Sequence, residues 1–266
     1  MKKILLTALS LLLTVCLFAF GVSAETDVTT VYVTIADNEG NLVLSAESIS
    51  LNGQNPSIHE VLKTAHEIYY KNGAEEGYSA SETAYGLSMN KLWGIDGNGS
   101  YGYCVNNVPA TNLNDTVKYG DHIYAYIYSD TVTFSDSYSY FDIVRTNAEK
   151  GGTLTLTLSH LTYDENWNTV TSPVANATIL LNGEKTALRT DENGIVTVPC
   201  EKSGKTVVSA EHSELTLVPP VCLITIPSDG TVIILTAGIL ALLLLAVGAF
   251  LFIQKRKKTA VNRTAK

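Results

Sequence analysis

Alternation with a period of two is the feature that most constrains how this chain can fold. In residues 122–128, Ile123, Ala125 and Ile127 alternate with three tyrosines, and residues 153–158 alternate threonine with leucine. Successive side chains of a strand point to opposite faces, so this period predicts strands with one buried face. We therefore expect a chain built largely from β-sheet.

The tyrosines of residues 122–128 form a face of their own. Tyr124, Tyr126 and Tyr128 lie opposite the aliphatic residues of the same predicted strand. Tyrosine is common on sheet faces because its ring packs well against neighbouring strands. The face could therefore be a partly exposed sheet surface or the wall of a binding site, and the pattern leaves both open.

One amphipathic helix is predicted in the first half of the chain. Ser57 can cap it, and Glu60 three residues later completes a capping box. The helix is expected to end at Asn72-Gly73. With strands on either side, residues 25–132 are expected to form an α+β module of small β-sheets and one amphipathic helix. The apolar residues at helical spacing are Ile58, Val61, Leu62, Ala65, Ile68 and Tyr69.

A predicted β-hairpin follows the helix. Residues 87–95, which include Trp93, read as one strand, residues 96–99 as a tight turn, and residues 101–105 as the partner strand. The turn mimics the start of a calcium loop, but Tyr101 stands where such a loop needs glycine. We expect a hairpin turn and no metal site.

The second module, residues 133–228, is predicted to be all-β. Short strand patterns are separated by turn sequences such as Asn182-Gly183 and 191–194, and no helical pattern intervenes. Strands at this spacing are typical of a β-sandwich of the immunoglobulin or transthyretin type.

The N-terminal 24 residues have the features of a secretory signal peptide. A positive start is followed by an apolar stretch, and Val22-Ser23-Ala24 supplies the small residues for cleavage after Ala24. A lipoprotein signal using Cys16 is the alternative, but Val15 stands where a small residue is normally required.

Residues 229–254 are predicted to span a membrane. The run 231–253 carries no charge and would extend about 34 Å as a helix, enough to cross a hydrocarbon core of about 30 Å. The basic cluster 255–258 follows, and such clusters stay on the cytoplasmic side. The sequence therefore predicts a single-pass protein of the cell membrane, with an extracellular N-terminal part and a cytoplasmic tail, residues 255–266.

The part between the two apolar segments is strongly acidic. Residues 25–230 hold all 26 acidic residues but only 10 of the 18 basic ones, a net charge of −16. Nucleic acids and anionic lipids are bound through clusters of lysine and arginine. This charge argues against either as a partner of residues 25–230.

Three cysteines remain after the predicted cleavage: Cys104, Cys200 and Cys222. Cys200 and Cys222 belong to the same module, so they are the possible disulfide, although spacing alone does not give the geometry. Cys104 would then be a buried free thiol.

Catalytic motifs are absent from the sequence. It has no Gly-x-Ser-x-Gly elbow, no phosphate-binding loop and no His-Glu-x-x-His. We therefore expect neither an enzyme nor a catalytic cofactor.

The first module resembles the transcobalamin-like C-terminal domain, whose relatives occur in bacterial surface proteins. The matching segments are the helix 57–65 (SIHEVLKTA), the strands 92–95 (LWGI) and 101–107 (YGYCVNN), and the stretch 117–126 (VKYGDHIYAY). The common bacterial form has Trp where Tyr101 stands. The second module, with its Thr-Asp-x-x-Gly turn at 190–194, looks like the immunoglobulin-like module that often follows.

The resemblance implies a ligand. In the animal carriers this β-domain closes over cobalamin, a flat corrinoid ring, against a helical barrel that has no counterpart here. The carried-over site consists of Trp93, Tyr101 and Tyr103 as its aromatic wall, with Asn106 and Asn107 as polar contacts.

Two functions from different classes are compatible with these observations. The first is a membrane-anchored binding module that captures a corrinoid, alone or with a surface-protein partner. The second is a structural or adhesive surface protein with no small-molecule ligand.

Overall fold

A computed structural model describes residues 28–133, 135–166 and 168–228. The first module contains β1 (Val28–Ala36), β2 (Leu42–Asn52), α1 (Ile58–Tyr69), α2 (Gly73–Gly77), β3 (Ser79–Thr83), β4 (Gly86–Lys91), β5 (Tyr101–Val105), β6 (Val108–Pro109) and β7 (His122–Ile127). The second contains β8 (Ser137–Phe141), β9 (Arg145–Asn147), β10 (Gly152–Tyr163), β11 (Thr169–Pro173), β12 (Thr178–Leu181), β13 (Glu184–Arg189), β14 (Ile195–Cys200), β15 (Gly204–Glu211), β16 (Leu217–Val218) and β17 (Cys222–Ile226).

The main sheet of the first module has the strand order β2-β1-β7-β5-β6. β7 runs parallel to β1 and antiparallel to β5, and all six of its residues are buried. The aliphatic face predicted for this strand, Ile123, Ala125 and Ile127, lies in the same core as Val61 and Leu62 of α1. The prediction that residues 122–128 form a strand with one aliphatic, buried face is confirmed.

The helix α1 begins as the sequence predicts. The Ser57 hydroxyl accepts the Glu60 N–H, and the Glu60 carboxylate accepts the Ser57 N–H at 2.8 Å, so the capping box is complete. Burial of Val61 and Leu62 along one face then holds the helix against the sheet.

The predicted hairpin between residues 87–95 and 101–105 is wrong. β4 pairs with β3, while β5 pairs with β6 and β7. The backbone explains the difference. Trp93 (φ 50°) and Gly94 (φ 78°) both take the left-handed conformation and form the centre of a tight turn, in which Leu92 and Ile95 bond to each other. The chain therefore leaves β4 before Trp93 and enters the main sheet separately at Tyr101.

The second module is a β-sandwich. One sheet has the order β11-β10-β8-β16, with β14 also paired to β10, and the other has the order β13-β12-β15-β17-β9. A single apolar core lies between them, with Leu156, Leu158 and Val198 from one sheet and Ile179 and Ile224 from the other. The alternation of threonine and leucine in β10 therefore places Leu156 and Leu158 in this core.

The tyrosine face of β7 packs against the second module. Tyr124 and Tyr126 are 1% and 6% exposed, and they share a cluster with Tyr138 and Val218 of the second module. The Tyr138 ring stacks on Tyr126 at 5.8 Å and meets Tyr124 edge-on at 5.4 Å, geometries that aromatic pairs favour. The face is thus an interface between modules, which neither of the two interpretations from sequence anticipated.

Polar groups cross the same interface. The Tyr124 hydroxyl donates to the Pro219 carbonyl, and the Tyr138 hydroxyl donates to Asn107 Oδ1 at 3.0 Å. Arg145 donates to the Ala46 carbonyl at 2.7 Å. Buried hydroxyls are costly unless they are paired, so these bonds fix one relative position of the modules.

A β-bulge in β2 also contributes to the interface. The register of β1 with β2 slips between Val33 and Ile35, and Ala46 takes φ 50° there. The slip directs Ala46 into a cluster with Val221 and Leu223 of the second module. A bulge that re-aims a side chain in this way is a recurrent device of β-sheets.

The connection between the modules is short and internally bonded. It joins Ile127 to Ser137, and the boundary predicted at 132/133 falls inside it. Asp136 accepts the N–H groups of Ser129 and Asp130 at 3.0 and 2.8 Å. These bonds close the connection on itself.

The predicted fold class and localisation need correction. The first module is not α+β in the predicted sense, because strands dominate and α1 and α2 have only 12 and 5 residues. Within residues 28–133, 135–166 and 168–228, no helix is long and apolar enough to cross a membrane, so the predicted single-pass localisation has no support in the part of the chain that the structure describes. The segments 1–24, 229–254 and 255–266 lie outside the described residues.

We predict that Tyr138→Ala lowers the free energy of unfolding by about 3–5 kcal/mol, the usual cost of truncating a buried aromatic ring. Urea unfolding followed by fluorescence measures it. The matched control is Tyr85→Ala, because Tyr85 is 91% exposed, and it should change stability by less than about 0.5 kcal/mol. Equal effects of the two changes would contradict a buried interface.

Candidate functional site

Trp93 of the predicted site is half-buried beside the first core. Its backbone N–H donates to His66 Nε2 at 3.0 Å, and its ring meets Tyr70 edge-on at 5.4 Å. The residue thus closes the end of β4 onto the two short helices. Its left-handed backbone is held by this local packing.

His66 is the partner that fixes Trp93. Its side chain is buried, its Nδ1 donates to the Leu62 carbonyl at 2.7 Å, and its Nε2 accepts the Trp93 N–H. Both ring nitrogens are used by the neutral form. Burial lowers the pKa of His66 from 6.5 to about 4.

Tyr101 and Tyr103 share one face of β5, and Cys104 lies on the other, as the alternation predicts. The Tyr101 hydroxyl donates to the Asn90 carbonyl and accepts the Gly97 N–H, so it ties the 96–99 loop to β4. Tyr103 is half-buried against the first core, and burial raises its pKa.

Asn106 and Asn107 form the turn between β5 and β6, with φ values of 50° and 66°. The Asn106 amide donates to Asp121 at 2.8 Å, and its oxygen accepts the His122 N–H at 2.9 Å. Asn107 Oδ1 accepts the Tyr138 hydroxyl at the module interface. Both side chains therefore have structural roles in the described chain.

Cys104, Cys200 and Cys222, the cysteines of the described residues, are buried free thiols. The possible disulfide between Cys200 and Cys222 is not formed in the described structure, although both residues lie in the core of the sandwich, one in each sheet. Burial raises the pKa of Cys104 and of Cys222 to about 12. Thiols held protonated in this way are poor nucleophiles.

A groove of about 660 Å³ lies where the two modules meet. The first module contributes the turn between β1 and β2, from Glu39 to Leu42, and Ser45. The second contributes Leu180 and Val207 with the loop 211–217. Small-molecule sites commonly have this volume and lie at such junctions.

The groove is lined by both aliphatic and acidic side chains. Leu180, Val207 and Leu217 supply apolar surface, while Glu39 and Glu211 supply carboxylates. Phe, Tyr, Trp, Lys and Arg do not occur among its lining residues in the described chain. None of the five site residues predicted from the sequence lines it.

Sequence reasoning missed this groove. Its walls come from positions as far apart as Ser45 and Ser209, which become neighbours only when the modules pack together. The residues themselves are ordinary turn and strand residues. Nothing in their local pattern marks them as a site.

A nucleophilic site finds little support. Ser137 Oγ lies 2.7 Å from His160 Nδ1. The titratable group that acts on His160 is a second histidine, His212, and not a carboxylate. Over the described ranges, no carboxylate hydrogen-bonds His160, so the pair lacks the orienting acid of a triad. Elsewhere in the same part of the chain, no group of three His, Cys, Asp or Glu residues is placed to hold a metal ion.

Comparison with known proteins gives little. No protein-family model and no curated protein matches the chain. Among solved structures it is similar to the polymeric Ig receptor ectodomain of a teleost fish, at 11% identity over 52% of this chain and 67% of that one, with a TM-score of 0.18. A TM-score this low supports no argument about fold or function, and the transcobalamin-like resemblance stays a prediction.

We predict that stability falls as the pH is lowered from about 7 to about 4. Burial lowers the pKa of both His66 and His122 to about 4, so between pH 4 and 6.5 the unfolded chain binds more protons than the folded one. Each histidine should then contribute up to about 3 kcal/mol of pH-dependent stability, lost toward pH 4. Urea unfolding at several pH values measures this slope.

The matched variant is His122→Gln, which removes one titrating group. His122 Nε2 bonds to Thr34 Oγ1 at 2.8 Å, and its Nδ1 has no hydrogen-bond partner in the described part of the chain. The variant should reduce the slope, and adding His66→Gln should reduce it further, while His59 and His160, whose pKa values burial also lowers, account for part of what remains. An unchanged slope in the double variant would contradict this assignment.

Proposed function

We propose that this chain is a non-catalytic binding protein that holds its ligand in the groove between two coupled β modules. The observation that carries the proposal is the groove of about 660 Å³ whose walls come from both modules. Its size suits a small ligand or a short segment of a larger one.

The packing of the modules supports a preformed site. Tyr124 and Tyr138 are buried at the interface, and Lys205 pairs with Glu47 across it at 2.7 Å. A groove held by such contacts needs little ordering when a ligand arrives. Preorganisation of this kind strengthens binding, because less conformational entropy is lost.

A thermal-shift screen of a small-molecule library against the full chain tests the proposal, since a ligand that binds only the folded state raises the melting temperature. We predict that at least one compound stabilises the wild type but not Ser45→Trp, whose indole would fill the groove. Thr153→Trp, at an exposed position of β10 outside the groove, is the matched control and should respond like the wild type. If every stabilising compound acts equally on both variants, the groove is not the site.

A corrinoid ligand is a second candidate, and one observation favours it. Trp93, Tyr101 and Tyr103 are each only partly buried against the first core, so each residue keeps some exposed surface. The roles of Asn106 and Asn107 in turn and interface bonds count against it. A structural or adhesive role without a small ligand is the remaining alternative.

Titration of the full chain with cobalamin, followed by absorbance, tests the corrinoid candidate. A binding role predicts that Tyr103→Ala abolishes the spectral change while most of the stability remains. A core role predicts no cobalamin binding by the wild type and a loss of a few kcal/mol on truncating this half-buried ring. Tyr119→Ala, at a 77% exposed tyrosine of the same module, controls for loss of a ring as such.

A further inference from the structure

We infer that the groove between the modules takes a ligand that carries a primary ammonium group on an aliphatic chain, such as a long-chain diamine or a lysine side chain of a partner. This inference rests on the proposed function and names its ligand class. Three observations support it: the negative charge around the groove, its aliphatic lining residues, and the ion pair that Glu211 of the lining makes with Lys185.

The charge at the groove is negative. Glu39 and Glu211 line it, and Asp37 and Asp136 line a small adjoining pocket that shares Gly40 and other residues with it. His212 also lines the groove, whereas Lys and Arg do not occur in either lining within the described residues. Carboxylates around a concave surface focus the potential and raise the local concentration of cations.

Two of these carboxylates are held firmly. Asp37 accepts the N–H groups of Glu39 and Asn41 at 2.9 and 2.8 Å. Asp136 accepts the N–H of Asp130 at 2.8 Å. Their negative charge is thus fixed beside the groove before any ligand arrives.

Glu211 already binds an ammonium group. Lys185 Nζ lies 2.6 Å from its Oε1, although Lys185 itself does not line the groove. The carboxylate therefore has the geometry to accept an ammonium, and Lys185 is its internal competitor. A ligand amine would displace or share this contact.

The apolar surface of the groove indicates what kind of chain the ammonium group of the ligand is attached to. Leu180, Val207, Leu215 and Leu217 line the groove, and Leu215 is 36% exposed. The His212 imidazole also lines the groove, but Phe, Tyr and Trp do not occur among its lining residues in the described chain, so these aliphatic walls suit a methylene chain better than a large flat ring. The occupant expected here therefore differs from a corrinoid.

Calorimetric titration of the full chain with 1,8-diaminooctane at low ionic strength, where charges are least screened, tests the inference. We expect saturable one-to-one binding. Glu39→Gln with Glu211→Gln should weaken it roughly five- to tenfold, the loss of two partly exposed ion pairs. Lys185→Gln should tighten it by up to about threefold, because the competitor for Glu211 is removed.

The controls separate a built site from general attraction. Glu192→Gln with Glu201→Gln makes the same charge change at exposed positions outside the groove and should leave the affinity nearly unchanged. 1,4-Diaminobutane and Mg²⁺ carry the same charge with a shorter chain or none, and both should bind more weakly. The peptide acetyl-Lys-Leu-Lys-amide tells a partner's lysine from a free diamine, and binding of either one supports the inference.

The inference is overturned if neither probe binds, if the short cations bind as tightly as the long diamine, or if the two glutamate pairs respond alike. Its failure can be told from failure of the proposed function. Ligands without an amine that stabilise the wild type but not Ser45→Trp would keep the groove as the site and discard the ammonium class. A groove that gives no Ser45→Trp-sensitive ligand of any kind would discard both.

Discussion

The architecture depends on burying both faces of β7. One face, Ile123, Ala125 and Ile127, belongs to the core under α1, and the other, headed by Tyr124 and Tyr126, is covered by the second module. Tyrosine suits the second role because its ring supplies large apolar area while its hydroxyl can find a partner. The Pro219 carbonyl serves Tyr124 in this way.

The packing of the tyrosine face of β7 against the second module sets the relative position of the two modules. The groove forms between them because they are held in this position. The bulge in β2 brings Ala46 to the second module and places Ser45 at the groove. A change that loosens the tyrosine interface should therefore disturb the groove as well as stability. Structure and the proposed binding role thus share one set of contacts.

The predicted aromatic site shows how residue type alone can mislead. Trp93, Tyr101 and Tyr103 are large rings with few rotatable bonds, which suits both a ligand wall and a protein core. In this chain Trp93 closes a loop through His66, and Tyr101 ties the 96–99 loop to β4. The three residues are only partly exposed, and the hydrogen bonds of Trp93 and Tyr101 already have structural roles, so experiment has to decide whether a ligand uses the surface that remains.

Local sequence patterns were sufficient to predict the alternating strands, the capping box at Ser57 and the β-rich second module. These depend on residues a few positions apart, so their signal is complete within a short window. Tertiary structure alone decided what covers the tyrosines, where β5 pairs and where the groove forms. Those outcomes rest on contacts such as Tyr124 with Pro219, 95 positions apart, and no local pattern records which distant surface will exclude water from a given face.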